Sequence, residues 1–215
     1  MGNAAPAASP RPYGALSREE LLAAAADCIA ERGFDRTRLR DVAKRAGVSI
    51  GMLQHHFDTR DALLSEAFRW SCNELIDRWR RRVESTATPW ARIEVLIEEQ
   101  TGDPALLRHC TMWTEFCACS ARHVELRDAV AEVFAAWRQL MAAIIEEGIA
   151  SGDFRPELGI ADIVDIFNAA VDGFEMATAV NARLVSPERF RTLVLEVAAS
   201  LLMPPGPRRP SSAKS

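Results

Sequence analysis

Gln54 and His55 are the residues best equipped for chemistry in this chain of 215 residues. They sit in the run Ser49-Ile50-Gly51-Met52-Leu53-Gln54-His55-His56-Phe57, where Leu53 and Phe57 are spaced i, i+4. On a helix that spacing turns Leu53 and Phe57 inward and leaves Ile50, Gly51, Met52, Gln54 and His55 on or near the outer face. An exposed glutamine can pair two hydrogen bonds with an adenine edge, and a histidine can reach a base or a phosphate. Ser49 is placed to cap the helix, and with the free N–H groups of the first turn it can hold a phosphate. Gly51 lets a backbone come close.

The element before this helix must aim it. Leu39, Val42, Ala43 and Ala46 fall at i, i+3, i+4 and i+7, the apolar face of a short helix. Gly47 follows where a left-handed residue ends a helix, and Val48 fills the corner. Two short helices joined by a glycine turn, the second with a hydrogen-bonding face, form a DNA-reading helix-turn-helix. An ordinary helical hairpin has the same periodicity, so context decides. Upstream, Ser17 and Glu20 form a capping box for an amphipathic helix that stops at Gly33, with Phe34 as a core plug. Downstream, Asp58-Thr59-Arg60-Asp61 opens a long helix.

The arrangement resembles the N-terminal domain of TetR-type transcriptional regulators. The matching residues are Gly33-Phe34, Asp41-Val42-Ala43, Ala46-Gly47-Val48-Ser49, Gly51, Leu53, His56-Phe57 and Leu63-Leu64, spread over residues 17–66. The resemblance implies a double-stranded DNA operator as partner and places Arg60 where the family carries a phosphate-contacting lysine. Arg38 stands where the family has a Ser or Thr helix cap, leaving Thr37 as the alternative cap and Arg38 free to reach the DNA backbone. Met52 and Gln54 replace hydroxyl side chains that contact phosphate in the family. The expected DNA-contact set is therefore Thr37, Arg38, Ser49, Ile50, Gly51, Met52, Gln54, His55 and Arg60, with Gln54 and His55 foremost. His56 reads equally well as a wedge between helices.

Composition fits a soluble globular chain, with 48% apolar and 26% charged residues. No apolar run reaches the roughly 18–20 residues of a membrane span. The Pro/Ala-rich start lacks the pattern of a secretory signal, so a cytoplasmic location is expected. Residues 1–16 and 204–215 read as disordered extensions. The net charge is −4, but residues 1–60 hold nine Arg and Lys against seven Asp and Glu. A mildly basic head on an acidic body suits a small DNA-binding domain, residues 17–60, ahead of a larger domain, residues 61–203.

Helical periodicity continues along that body, and no strand alternation appears. Helices are expected from about Thr59 to Glu84, Trp90 to Gln100, Ala105 to Ser120, His123 to Ala150, Gly159 to Leu184 and Pro187 to Met203. The expected fold is all-α, about nine helices, with a three-helix head and a six-helix body. Glu146 to Ile149, Gly152 to Pro156 and Val171-Asp172-Gly173-Phe174 resemble the C-terminal domain of choline-responsive, BetI-type regulators; Trp113 to Phe116 and Glu125-Leu126-Arg127 add a weaker match. That resemblance implies a homodimer pairing through its last two helices. Ile160, Ile163, Val164, Ile166, Phe167, Val171, Phe174 and Met176 surround much of the eighth helix, which must then be covered on more than one side.

Trp113, Phe116, Cys117, Phe134, Trp137, Met141, Phe167 and Phe174 are the candidate lining of a ligand cavity between body helices, and the same residues also suit plain core. A small-molecule effector of unspecified identity is the expected occupant; a quaternary ammonium would want such aromatics around it. Five cysteines in a reducing compartment are not expected to form disulfides. His109, Cys110, Cys117, Cys119 and His123 cluster in sequence without Cys-x-x-Cys spacing, and buried core is favoured over a metal or thiol sensor. No metal, cofactor or catalytic residue is expected: the phosphate loop, nucleophile elbow and zinc-protease patterns are all missing. A protein-interaction bundle is the other class left open, and it would be indifferent to changes at Gln54, His55 or Arg60.

Overall fold

The computed structural model describes residues 16–182 and 185–203, so the N-terminal arm before Leu16 and the tail from Pro204 lie outside the described residues. Among the described residues there are nine α-helices, one 3-10 turn and no strand. The head comprises α1 (Arg18–Arg32), α2 (Leu39–Ala46) and α3 (Ile50–His56). The body follows as α4 (Arg60–Glu84), α5 (Pro89–Thr101), α6 (Leu106–Ser120), α7 (Arg127–Ser151), α8 (Ile160–Ala179) and α9 (Pro187–Leu202).

Local chemistry starts most of these helices. The Ser17 hydroxyl accepts the Glu20 N–H at 3.2 Å while the Glu20 carboxylate accepts the Ser17 N–H at 2.8 Å, the reciprocal box read from the sequence. Ser49, Thr59, Thr88 and Ser186 each accept a backbone N–H three residues on, and Pro89 and Pro187 stand at first helical positions whose N–H groups need no partner. α2 starts differently from the expectation. Neither Thr37 nor Arg38 caps it through a side chain; the Asp41 carboxylate accepts the Arg38 N–H at 3.0 Å instead. Gly47 ends α2 at φ 71° and ψ 30°, and the Val48 N–H reaches back to the Ala43 carbonyl at 3.0 Å, closing the corner.

Two boundaries need correction. The helix expected from His123 is interrupted by a 3-10 turn, Val124–Leu126, and α7 begins at Arg127. α8 stops at Ala179 rather than near Leu184, because the Asn181 N–H takes the Thr178 carbonyl and Asn181 adopts φ 52°, a left-handed conformation that Asn tolerates.

α4 carries 25 residues, about 37 Å at roughly 1.5 Å per residue, and packs on α1 at one end and on α5 and α7 further along. α6 packs on both α1 and α8, so it touches the head and the body. One buried core runs through both parts, from Leu21, Ile29 and Phe34 through Leu63 and Phe68 to Met141, Ile163 and Phe167. At the end of α7 the chain folds back so tightly that Phe154 is buried against Gly148, and its N–H takes the Gly148 carbonyl at 2.9 Å. A methyl group on Gly148 would lie 2.0 Å from the Phe154 ring. Gly148→Ala should therefore lower folding stability by about 1–3 kcal/mol, the cost of overpacking a filled site. Urea unfolding checks this, and adding Phe154→Leu should recover part of the loss.

Candidate nucleic-acid interface and effector cavity

α3 presents the face expected of it. Leu53 and Phe57 are buried, while Ser49, Ile50, Gly51, Gln54 and His55 are exposed and Met52 is half-buried. Ile50 is 44% exposed, an apolar contact at the start of the helix. The Gln54 side chain makes no hydrogen bond among the described residues, so its amide is available to an outside partner; the His55 ring lies edge-on to His56, 5.5 Å between centroids. Arg38, Arg40 and Lys44 are exposed on or beside α2, and their charged ends meet no partner among the described residues. The basic character of this surface comes from them.

Two members of the expected contact set point elsewhere. Thr37 is fully buried, and its hydroxyl donates to the Cys28 and Gly33 carbonyls, at 3.2 and 2.8 Å. It ties α1 to the turn before α2 and is out of reach of DNA. Arg60 is turned back into the head. Its guanidinium lies 4.7 Å from the Phe34 ring centroid, donates to the Thr37 carbonyl at 2.6 Å and to the Phe34 carbonyl, and pairs with Asp61. A guanidinium so committed is a brace between α4 and the α1–α2 turn. Arg18, which the sequence reading passed over, does the same for α3: it donates to the His56 carbonyl at 2.9 Å, pairs with Glu66 and covers Phe57.

Such an exposed reading helix, set on a three-helix head with a braced glycine turn, decides the comparison with known proteins. The family model "Bacterial regulatory proteins, tetR family" matches residues 21–67, and the "BetI-type transcriptional repressor, C-terminal" model matches residues 89–203, more than half the chain. The chain belongs to the TetR family. Among relatives of this TetR-family protein, the HTH-type transcriptional repressor KstR2 of Mycobacterium tuberculosis strain H37Rv is 31% identical over 149 residues, covering 66% of this chain and 72% of the relative. The regulator PksA of Bacillus subtilis is 24% identical over 186 residues, covering 86% and 89%. A TetR-family regulator from Rhodococcus sp. superposes with a TM-score of 0.75 at 28% identity, over 86% of this chain and 97% of that one. This TetR-family member is a helix-turn-helix, DNA-binding regulator of transcription.

Its body holds a partly open cavity bounded by α4, α5, α6, α7 and α8. Of the eight candidates, Trp113, Phe134 and Trp137 line it. The other five do not. Phe116 is fully buried one turn toward the head, stacked 3.9 Å from Phe68 and edge-on to Phe34 at 5.4 Å. Phe174 stacks on Phe190 of α9 at 4.2 Å; Met141 and Phe167 fill the core; Cys117 stands off the lining. The sequence reading missed Trp79 on α4, Gln100 on α5 and a polar stripe on α8, Asn168, Asp172 and Glu175. The spacing i, i+4, i+7 within a largely apolar helix was the signal available for that stripe.

The cavity is mostly apolar, and its few polar groups are arranged in a particular way. Asp172 accepts from the Trp113 indole N–H at 3.3 Å and from the Asn168 amide at 2.9 Å, and burial raises its carboxyl from the ordinary range. Glu175 has no hydrogen-bond or ion-pair partner among the described residues; burial, with Asp172 beside it, pushes its carboxyl up to about 8. His109 also lines the cavity, where burial lowers its basicity despite Asp103 at 3.5 Å. No Lys or Arg lines the cavity. The cysteines do not form a reactive centre: burial raises every thiol, Cys110 and Cys117 to about 12 and Cys119 to about 11. Among the described residues no group of three or more His, Cys, Asp or Glu is placed to hold a metal ion.

The two sites share α6. Trp113 faces the cavity, while Glu115 on the same helix accepts the Phe34 N–H at 2.9 Å in the head. Arg108 of α6 pairs with Asp27 of α1, and Arg122 and His123 just beyond α6 reach Asp35 before α2.

The bracing role of Arg60 separates it from the candidate reading residues Gln54 and His55. Arg60→Ala should lower thermal stability and leave the salt slope of DNA binding unchanged, whereas loss of a phosphate contact would reduce that slope by about one. Gln54→Ala and His55→Ala should each cost about 1–3 kcal/mol of binding and relax preference at one base position. Salt-titrated binding to operator variants measures both.

Proposed function

We propose that this protein is a homodimeric repressor that leaves its operator when a small molecule enters the α4–α8 cavity, and that it works in the cytoplasm. The observation that carries the reading is the position of α6, with its cavity face at Trp113 and its head contact at Glu115 on the same helix. A ligand that moves Trp113 moves the helix on which the Phe34 turn hangs, and Phe34 with Arg60 sets how the helix-turn-helix stands on α4. Such a ligand must favour one arrangement over the other to release DNA.

Dimerisation is read from α8 and α9. Ile166 and Met176 on α8, and Leu193 and Val197 on α9, are large apolar side chains at 36–57% exposure. Between Ile166 and Met176 the outward face carries Ala169, Ala170 and Gly173, small enough for a second helix to approach closely. A two-fold pairing through this face would cover the excess and set two α3 helices about 34 Å apart, one turn of the major groove.

Structural neighbours hold different small molecules, so the fold does not choose one. A regulator from Saccharomonospora viridis, similar in fold with a TM-score of 0.76, was crystallised with choline, and FadR of Bacillus subtilis, with a TM-score of 0.72, with stearoyl-CoA. The choice falls to the cavity.

The experiment is binding of the purified protein to its own upstream intergenic DNA, with mass measured in parallel. Tight, salt-steep binding of a dimer, released by a compound that quenches tryptophan fluorescence, is the expected result. A methyl at Gly173 would meet nothing within 4 Å. Gly173→Arg should therefore keep the helical fold but sediment as a monomer and lose operator binding at least tenfold. Dimeric Gly173→Arg with full affinity would place the interface elsewhere.

A further inference from the structure

The cavity contains two acidic side chains and no Lys or Arg to meet them. Asp172 and Glu175 stand one turn apart on α8, and the charged and titratable groups facing Glu175 from the packed helices are Cys72 of α4 and Cys110 and Cys117 of α6, all with raised pKa values. His109, also in the lining, is a weakened base. Asp172 already has two donors, but Glu175 has none among the described residues. Glu175 is half-buried, and three polar groups in the lining are buried and unpartnered among the described residues: both ends of the Gln100 amide, with Gln100 only 6% exposed, and the indole N–H groups of Trp79 and Trp137. Buried polar atoms without partners are costly, and so many around one cavity indicate that an occupant supplies them.

The occupant's chemistry follows group by group. An anionic ligand would face the Asp172 carboxylate, a second acid at Glu175 that it would keep protonated, and no Arg or Lys. A cation gains from Asp172 and Glu175 and from the faces of Trp79, Trp113 and Trp137. A quaternary ammonium satisfies the indole faces but has no N–H to give a carboxylate that lacks donors. An ammonium with N–H groups satisfies both, through short charge-assisted hydrogen bonds. Gln100, Trp79 Nε1 and Trp137 Nε1 can then take an oxygen elsewhere on the same molecule.

Resting on the reading of this chain as an effector-released repressor, we propose that its effector is a protonated amine whose N–H groups hydrogen-bond the Glu175 carboxylate, with Asp172 as second counter-ion and the three indoles around its carbon body. Binding is then linked to a proton. In the empty cavity at neutral pH the Glu175 carboxyl holds its proton, since burial pushes it up to about 8. An incoming ammonium, already charged, requires the carboxylate, so the Glu175 proton leaves for the buffer. Affinity should rise about tenfold per pH unit from about pH 6 toward about pH 8, then flatten once Glu175 is ionised in the empty protein.

The test uses three matched probes on the full-length protein: phenethylamine, its N,N,N-trimethyl analogue and 3-phenylpropionate. Tryptophan quenching and calorimetry in buffers of different ionisation enthalpy are read across pH. The proposal expects phenethylamine to bind with release of close to one proton at neutral pH, more tightly than either analogue. Glu175→Gln should lose most of that affinity and all of its pH dependence. Tighter binding of the trimethyl analogue would overturn the proposal in favour of a quaternary ammonium cage, and tighter binding of the carboxylate in favour of an anionic effector. Binding with no proton release would also overturn it, without needing a variant. If no probe binds at millimolar concentration while the wild type holds its operator, the amine assignment falls and the repressor reading stands. If the ligand-free protein fails to bind any operator selected from random DNA, the repressor reading itself falls.

Discussion

Phe34 is held from three directions, and the geometry of the head depends on that. The Arg60 guanidinium of α4 covers its ring and takes its carbonyl, the Glu115 carboxylate of α6 takes its N–H, and Phe116 of α6 packs edge-on against it. A turn between α1 and α2 would ordinarily be a loose connection. Here the N–H of its buried residue is taken by a side chain of α6, and its carbonyl by a side chain of α4 as well as by the Thr37 N–H; leaving that buried Phe34 N–H without a partner would cost about 1–3 kcal/mol. α2, and with it α3, is therefore positioned by the two body helices α4 and α6.

The same two helices wall the cavity. From Phe34 the aromatic contacts run through Phe116 and Phe68 to Trp113 and Phe134, with ring separations between 3.9 and 6.0 Å. Packed rings do not deform continuously, since interiors are as dense as organic crystals. A change at Trp113 is passed on as a shift of α6 or it is resisted. That is a physical route between effector and operator. Its polar end, Asp172 on the Trp113 indole, lies in the cavity, and its other polar end, Glu115 on the Phe34 amide, lies in the head.

Burial has opposite uses in the two parts of the molecule. In the head it is complete around Thr37, whose hydroxyl has two carbonyl partners, and nothing there is left wanting. In the body it is left incomplete. Polar atoms of Gln100, Trp79 and Trp137 are withdrawn from bulk water, and they and the half-buried Glu175 have no protein partner among the described residues. A protein that only needed to be stable would fill such a space with apolar side chains. Keeping polar atoms there gives up stability for recognition.

Helix identity was legible from the sequence because it rests on short-range physics. The Ser17–Glu20 box, the left-handed Gly47, the Ser49 cap and the inward Leu53 and Phe57 all act within one or two turns, and each is found as read. Side-chain destination was not legible. Arg60 looked free to meet phosphate and instead braces Phe34, 26 residues away; Thr37 looked like a cap and is buried under α1. For the cavity, aromatic content named the right region and only three of its walls. Phe116 and Trp113 are both on α6, three residues apart, yet one faces the head and the other the ligand space, because Phe68 and Phe34 occupy the side toward which Phe116 turns. The sequence by itself determined the helices, the turn that aims α3 and the family to which the chain belongs. Only the packing of α4, α6 and α8 decided which polar groups would find partners and which would be left waiting in a cavity, because partners lie far apart in sequence and a helix face acquires its meaning from whatever stands opposite.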